Sequence, residues 1–468
     1  MKSSPVSVFS CIILIILISF FCAASADSHD DFLQCLFQQS SNSTSIIFTQ
    51  NDTSYFPVLN FSIQNPRFSS PSTPKPVAII TPLNASHVQA TIYCSKKYGF
   101  QIRVRSGGHD YEGLSYVSDL PFVLIDLVNL RSVNVDLEGK SAWVEAGATI
   151  GEVYYNIAQK SQTLGFPSAI AHTVGVGGLF SGGGYGAMLR KNLEQNVTKL
   201  VHRWQFVANK FDDDLFILVR LQAAFSTNGD GNNNRTIQAS FISLFLGGVD
   251  RLLPLMNKSF PELGMVREDC TEMSWIESVI YFAGFPSGVS REVLLDRTTQ
   301  IKVPVKAKSD YVKVPVPVNG LEGIWERLFE EDVGRALMQM TPYGGRMNEI
   351  PEWETPFPHR AGNIYKILYV VAVEEGNGTE SVHINWIRRL YSYMTPFVSK
   401  NPREAYLNYR DLDIGRNNNN GTTSNAQASI WGFKYFKSNF NRLVRVKTIV
   451  DPDNFFRNEQ SIPCLPPL

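Results

Sequence analysis

The chain has no surplus of charge of either sign: 43 Lys and Arg stand against 43 Asp and Glu in 468 residues. Without a basic excess there is no broad electrostatic footprint for nucleic acid or for an anionic membrane. Charged residues are only 18% of the sequence, below the usual quarter. Cysteine is scarce at six, with no CxxC pair, and the seven histidines are scattered at His29, His87, His109, His172, His202, His359 and His383. Nothing there has the spacing of a zinc site, so no metal is expected. Beyond the N-terminus no apolar run approaches the length of a membrane helix, so no membrane span is expected. What is plentiful is apolar and aromatic: 44% hydrophobic residues and 12% aromatics, with 30 Phe and 18 Tyr. That composition supports a large core and excludes a mainly disordered chain. The length suggests about three domains, with one large enzyme domain also open.

The N-terminus points to a compartment. Lys2 precedes an apolar run from about Val8 to Ala24, closed by Ala24-Ser25-Ala26. This is the order of a secretory signal over residues 1–26, with an uncleaved anchor as the alternative. The mature chain is expected to start near Asp27 and to be secreted, to the apoplast or the vacuole. Cleavage would leave Cys35, Cys94, Cys270 and Cys464, for which three complete pairings are open. Nine Asn-x-Ser/Thr sequons, at Asn42, Asn51, Asn60, Asn84, Asn196, Asn234, Asn257, Asn377 and Asn420, argue for a eukaryotic glycoprotein.

Residues 75–145 read as alternating strands and helices. Strands are expected at Val77–Thr81, Gln101–Arg105, Val123–Leu127, Ser132–Val135 and Ala142–Glu145. Ser86 can cap a helix running to about Tyr98, and Thr149–Leu164 reads as an amphipathic helix with Ile150, Val153, Tyr154 and Ile157 on one face. This is α+β or α/β material. Seven glycines fall between Gly175 and Gly186, which suits either close approach to a phosphate-bearing cofactor or a set of tight turns. The stretch matches neither GxxxxGK[ST] nor a clean strand–GxGxxG–helix unit. That disfavours a nucleotide triphosphatase or an ordinary dinucleotide fold. A general nucleotide-binding module has only this loop in its favour.

At Arg105-Ser-Gly-Gly-His-Asp-Tyr-Glu-Gly113 and Thr173-Val-Gly-Val-Gly-Gly…Ser-Gly-Gly-Gly-Tyr-Gly186 the chain resembles the plant berberine bridge enzyme-like family. These are secreted flavoproteins of the vanillyl-alcohol oxidase superfamily, related to cannabinoid synthases. Tyr406-Leu-Asn-Tyr-Arg-Asp-Leu-Asp413 and Val450-Asp-Pro-Asp-Asn-Phe-Phe-Arg-Asn-Glu-Gln-Ser-Ile-Pro463 agree with it. The resemblance implies an α+β, two-domain, vanillyl-alcohol-oxidase-like fold. Residues 27–192 would form an FAD-binding (PCMH-type) domain, 193–425 an antiparallel-sheet substrate domain, and 426–468 a tail returning to the first. It also implies a Cys35–Cys94 disulfide. Arg105, Ser106, Gly107, Gly108, His109 and Asp110 would cradle FAD together with Val174, Gly175, Gly177, Gly178, Ser181 and Gly182. The backbone amides of Ser106–His109 would face the pyrophosphate, and His109 would carry a covalent bond to the flavin. Tyr409 aligns with the base and Lys366 with the cation that would favour its phenolate, since a phenol has a reference pKa of about 10. Tyr111 and Tyr185 would line the site, and Val174 is valine as in the oxidases.

Four departures from the family pattern bear on function. Ala171 stands where a cysteine makes the second flavin bond, with His172 beside it where proline is usual. Leu368 replaces a glutamine that supports the base, and Val373 replaces a common aromatic. After Arg190-Lys191-Asn192 the chain passes directly to Leu193, where the family carries on the order of 70 further residues, about two βαβ-sized units. The cofactor domain is therefore expected to be truncated internally, with unpaired strand edges. Two functions follow. One is an FAD-linked oxidase that oxidises an alcohol or closes a ring with O2 as acceptor, on a small alkaloid, phenolic alcohol or carbohydrate. The other is a secreted glycoprotein remnant, catalytically impaired or inactive.

Overall fold

Two sheets of different construction divide the chain. A computed structural model describes residues 28–40, 44–184, 189–193, 196–225, 235–299, 301–330, 335–373, 379–418 and 423–465. The expected signal, residues 1–26, lies outside them, as do Asn42, Asn234, Asn377, Asn420, Tyr185 and Gly186.

The first half builds β1 (Ile47–Thr49), β2 (Ala78–Ile80), β3 (Gln101–Arg105) and β4 (Phe122–Asp126) into a sheet ordered β1-β2-β4-β3. Strands β2, β3 and β4 run parallel, and β2 and β4 are buried along their whole length. Unbroken apolar runs such as Phe122-Val-Leu-Ile are what a sheet covered on both faces demands. The helix Ala85–Tyr98 crosses from β2 to β3. Its cap is Asn84 rather than the expected Ser86: the Asn84 side chain accepts the N–H of His87, and Ser86 bonds to Asn84 instead. Both residue types cap well, and the chain takes the one whose side chain reaches the N–H three residues on. Gly99 ends this helix at φ +78°, a left-handed position. A disulfide joins Cys35, on the helix over 28–39, to Cys94, while Cys270 and Cys464 are unbridged. The helix Ile150–Lys160 starts on a full capping box, Thr149 with Glu152, and ends at Lys160, short of Leu164.

Strands β5 (Val133–Asp136) and β6 (Ser141–Val144) pair only with each other among the described residues. Their residues are largely exposed, and Trp143 on β6 is 84% exposed. A lone hairpin is marginal in water, and this one rests on the helix Ile150–Lys160 through Val133, Val135 and Val144.

The second half forms a six-stranded antiparallel sheet from β7 (Leu189–Leu193), β8 (Leu215–Phe225), β9 (Arg235–Phe245), β10 (Val305–Val312), β11 (Ala336–Pro342) and β12 (Tyr365–Ala372), ordered β10-β12-β11-β8-β9-β7. Alternation along β12 sorts its side chains. Tyr365, Ile367, Tyr369 and Val371 enter a core shared with Trp204, Trp386 and Leu390 of the covering helices, while Lys366, Leu368 and Val370 face the other way. Strand β7 belongs to this sheet, so the border expected at 192/193 falls inside an edge strand. The segment 275–295, assigned by sequence to the substrate half, packs instead on the helix Ile150–Lys160 through Val279, Ile280 and Leu294. The tail lies against β3: Arg103 donates to the Arg457 carbonyl and to both oxygens of Glu459. Among the described residues no helix is long and apolar enough to cross a membrane.

Candidate active site and cofactor cradle

The loop after β3 is pressed from both sides by backbone. A Cβ on Gly107 would come within 2.3 Å of the Gly175 amide nitrogen, and one on Gly108, at φ +73°, within 1.7 Å of the Ser62 carbonyl oxygen. Only glycine permits that approach. The Ser106 hydroxyl donates to the Ala146 carbonyl at 2.6 Å. Among the described residues no acceptor takes the N–H of Gly107, Gly108 or His109. Consecutive amides left without a partner in a tight loop form a nest for an anion, and they fit the pyrophosphate of FAD.

His109 Nε2 lies 3.0 Å from the Thr173 hydroxyl. Burial pushes the imidazole down to about 4, so the ring is neutral at neutral pH. Ala171 is exposed and offers no second attachment. His172 turns inward, its ring 5.0 Å from that of Phe285, and does not replace the missing cysteine.

Not every expected cradle residue faces the cofactor side. Arg105 is fully buried and its donors are spent on Asp126 at 3.1 and 2.6 Å and on the carbonyls of Leu59 and Val58. It braces the loop from behind. Asp110 takes the N–H groups of Glu112 and Leu114 and pairs with Arg410. The glycine run is neither pure turn nor pure loop: Val176–Gly182 is a short helix. Within it a Cβ on Gly177 would press on the Ala146 carbonyl, one on Gly178 would meet nothing within 4 Å, and the Ser181 hydroxyl returns to the Gly177 carbonyl. Val174 is half-buried beside Val176.

Between this helix and the open face of the large sheet lies a cleft of about 690 Å³. Its walls include Phe166, Phe180, Tyr343, Phe357, Tyr406 and Lys366. Of the two tyrosines in Tyr406-Leu-Asn-Tyr409, only Tyr406 lines it. Lys366 Nζ sits 3.8 Å from the Tyr406 ring centroid and 5.0 Å from that of Tyr409. The Tyr406 hydroxyl accepts the Asn408 side-chain N–H at 3.0 Å, and Asn408 also donates to the Leu179 carbonyl on the glycine helix. The Lys366 amine thus lies over the Tyr406 ring while the Asn408 amide holds its oxygen. Tyr409 stands behind, edge-on to Tyr406 at 4.9 Å and to Tyr111 at 6.0 Å. Burial drives the Lys366 ammonium well below its ordinary value. Burial is the cause, and it favours the neutral amine. Leu368 packs in the same tyrosine cluster, and Val373 is buried. The sequence reading named Tyr409 and not Tyr406; the Tyr-x-Asn spacing is what lets Asn408 turn back on the Tyr406 hydroxyl. Among the described residues no three His, Cys, Asp or Glu side chains are placed to hold a metal ion.

Comparison with known proteins converges on one family. A model described as "FAD binding domain" matches residues 76–207, and one described as "Berberine and berberine like" matches 405–463. The chain is 44% identical to Cannabidiolic acid synthase-like 1 of Cannabis sativa over 533 residues, covering 98% of each chain. It is 45% identical to a tetrahydroberberine oxidase of Berberis wilsoniae over 510 residues, covering 94% of this chain and 95% of that one. The crystal structure of Phl p 4, a grass pollen allergen with glucose dehydrogenase activity, superposes with a TM-score of 0.85 at 36% identity, over 93% of this chain and all of that one. The first alignment spans 533 positions against 468 residues here, at least 65 more than this chain can fill (533 − 468).

Proposed function

We infer function from an established premise: this chain belongs to the plant berberine bridge enzyme-like family of FAD-dependent oxidoreductases. FAD, when bound, supplies the hydride acceptor. We propose that the chain is an oxidase that takes a proton and a hydride from a small substrate, with O2 as the final acceptor. In this reading the amides of Gly107, Gly108 and His109 hold the pyrophosphate, and His109 anchors the flavin by a single bond. Tyr406 takes the substrate O–H or N–H proton at its hydroxyl oxygen once Lys366, which burial favours as the neutral amine, has accepted the phenol's own proton, and Asn408 holds the oxygen in place. Tyr409 and Tyr111 back the base rather than contact substrate.

The observation that carries this reading is the Lys366–Tyr406–Asn408 arrangement on the cleft wall. The aromatic walls suit a planar alkaloid, a phenolic alcohol or the C–H face of a sugar ring. The test is hydrogen peroxide release tied to substrate loss, with Tyr406→Phe against wild type. General-base loss should lower turnover on the order of 10³-fold while flavin content stays equal. A larger loss for Tyr409→Phe than for Tyr406→Phe would move the base to Tyr409. We further propose a secreted, apoplastic or vacuolar destination, supported by the N-terminal apolar run and the nine sequons.

A second reading is the catalytically impaired remnant, with a cofactor domain shortened after Asn192. It is favoured by the hairpin of β5 and β6, which has no further strand beside it among the described residues, and by the alignment positions, at least 65, without a counterpart here. Visible absorbance of the secreted chain before and after acid precipitation separates the two. Flavin colour that stays with the pellet supports the oxidase; a colourless protein supports the remnant.

A further inference from the structure

Two stretches about 300 residues apart run side by side across the interface of the two halves. Tyr111 meets Tyr409 edge-on. Next to that contact, Asp110 Oδ2 pairs with Arg410 Nε at 3.3 Å. One step further, Glu112 Oε1 accepts the Leu412 N–H at 3.2 Å and binds Lys306 Nζ, which also reaches Asp411 Oδ1 at 2.8 Å. Lys308 Nζ closes on the other Asp411 oxygen at 2.6 Å. The side chains of Glu112, Lys306, Lys308 and Asp411 are 4%, 3%, 2% and 1% exposed. Arg67 also pairs with Glu112 at 3.4 Å and Asp413 with Lys308 at 2.9 Å, so cations and anions alternate through the cluster, and such a buried set is tolerated only while every member is paired.

This seam has a functional place. Asp110 and Glu112 follow His109 directly, and Asp110 Oδ1 shapes the turn by taking the N–H groups of Glu112 and Leu114 at 2.9 and 3.2 Å. Arg410 and Asp411 follow Tyr406 and Tyr409. None of Asp110, Glu112, Lys306, Arg410 and Asp411 lines the cleft. Their chemistry is therefore not contact with substrate. It is the fixing of one loop against another, each contributed by a different half of the fold.

We propose that Arg410 and the Glu112–Lys306–Asp411 cluster are positioning residues that hold the His109 loop in register with the Tyr406–Tyr409 segment. They keep one spacing between the side chain that anchors the cofactor and the one that takes the proton. The proposal rests on the reading that the His109 loop holds FAD.

Hydrogen exchange on the full secreted chain tests it without requiring flavin. Arg410→Met should speed exchange of the hydrogen-bonded Glu112, Gly113 and Leu114 amides by about tenfold, with less than about twofold change in β8 and β9. Asp110→Asn should do the same, and the double variant should be no worse than either single one, as coupled partners require. Arg410→Lys should restore most of the protection. Unchanged exchange at Glu112, Gly113 and Leu114, a uniform rise across the chain, or additive effects would overturn the clamp. If Arg410→Met is not secreted, Asp110→Asn and Glu112→Gln carry the same measurement. Acid-stable flavin is read on the same samples. A wild type without flavin sinks the FAD reading, whereas the exchange pattern still decides the clamp. A wild type that retains flavin in acid beside an Arg410→Met that releases it supports both.

Discussion

The two halves of this molecule achieve order by different means. The substrate side is one continuous sheet of six strands whose inner face, with Trp204, Ile367, Trp386 and Leu390, enters a single large core. The cofactor side is a four-stranded sheet and a separate hairpin, each with its own small cluster. It is fastened by discrete ties: the Cys35–Cys94 bridge, the Arg105 strut to Asp126, and the Arg103 grip on Glu459 in the tail. A core built from many apolar contacts loses a little with each change, whereas a half held by few polar ties loses much when one is cut. Cofactor domains of this kind leave their loops open to a ligand, and ties do the work that core volume does elsewhere.

The largest effect should come from cutting a tie. Arg105→Met leaves Asp126 buried without its partner, and loss of about 3–5 kcal/mol is expected. Urea unfolding followed by exchange in β3 and β4 should show that half opening first; an equal loss in β8 and β9 would erase the distinction between halves.

Acid should strike the substrate side next. Against the penalty of burial, His359 and Lys313 hold the Glu404 carboxyl down to about 2 from its ordinary 4.5. A depressed carboxylate stabilises the fold above its unfolded value and loses that contribution as pH falls from about 4.5 toward 2, on the order of 3 kcal/mol. Burial also favours neutral His359, which works in the same direction below its ordinary value. Glu404→Gln should flatten the stability–pH curve in this window; a curve as steep as wild type would assign the acid sensitivity elsewhere.

The smallest effect is expected at the hairpin. Trp143→Ser should change stability by less than about 0.5 kcal/mol, since the ring lies in solvent. A loss above about 1 kcal/mol in thermal melts would show that β6 is covered in solution, and the contrast between a covered and an uncovered half would weaken.

Local patterns made part of this architecture legible. The Thr149–Glu152 capping box, the buried run of β4 and the alternation of β3 each lie within a few residues, so strands and helices emerged close to their observed limits. The glycines around His109 likewise announced a close backbone approach, because no other residue fits there. Other features were not legible. Arg105 stands inside the cofactor motif, yet its guanidinium turns to Asp126 and to the carbonyls of Leu59 and Val58. Segment 275–295 and strand β7 joined halves other than their sequence neighbours suggested.

The choice between Tyr406 and Tyr409 shows where the division falls. Residue order by itself determined that two phenols, an amide and a downstream acid–base pair would be carried on one short segment, and that a histidine would follow two glycines. Which phenol meets Lys366 and the cleft was decided only when β12 was placed beside that segment. Side-chain chemistry is local to a residue. The amine and the cavity that give it a task are brought by strand β12, 40 positions away, and by the glycine helix, whose Leu179 lies 229 from Asn408, and only the folded packing sets those distances.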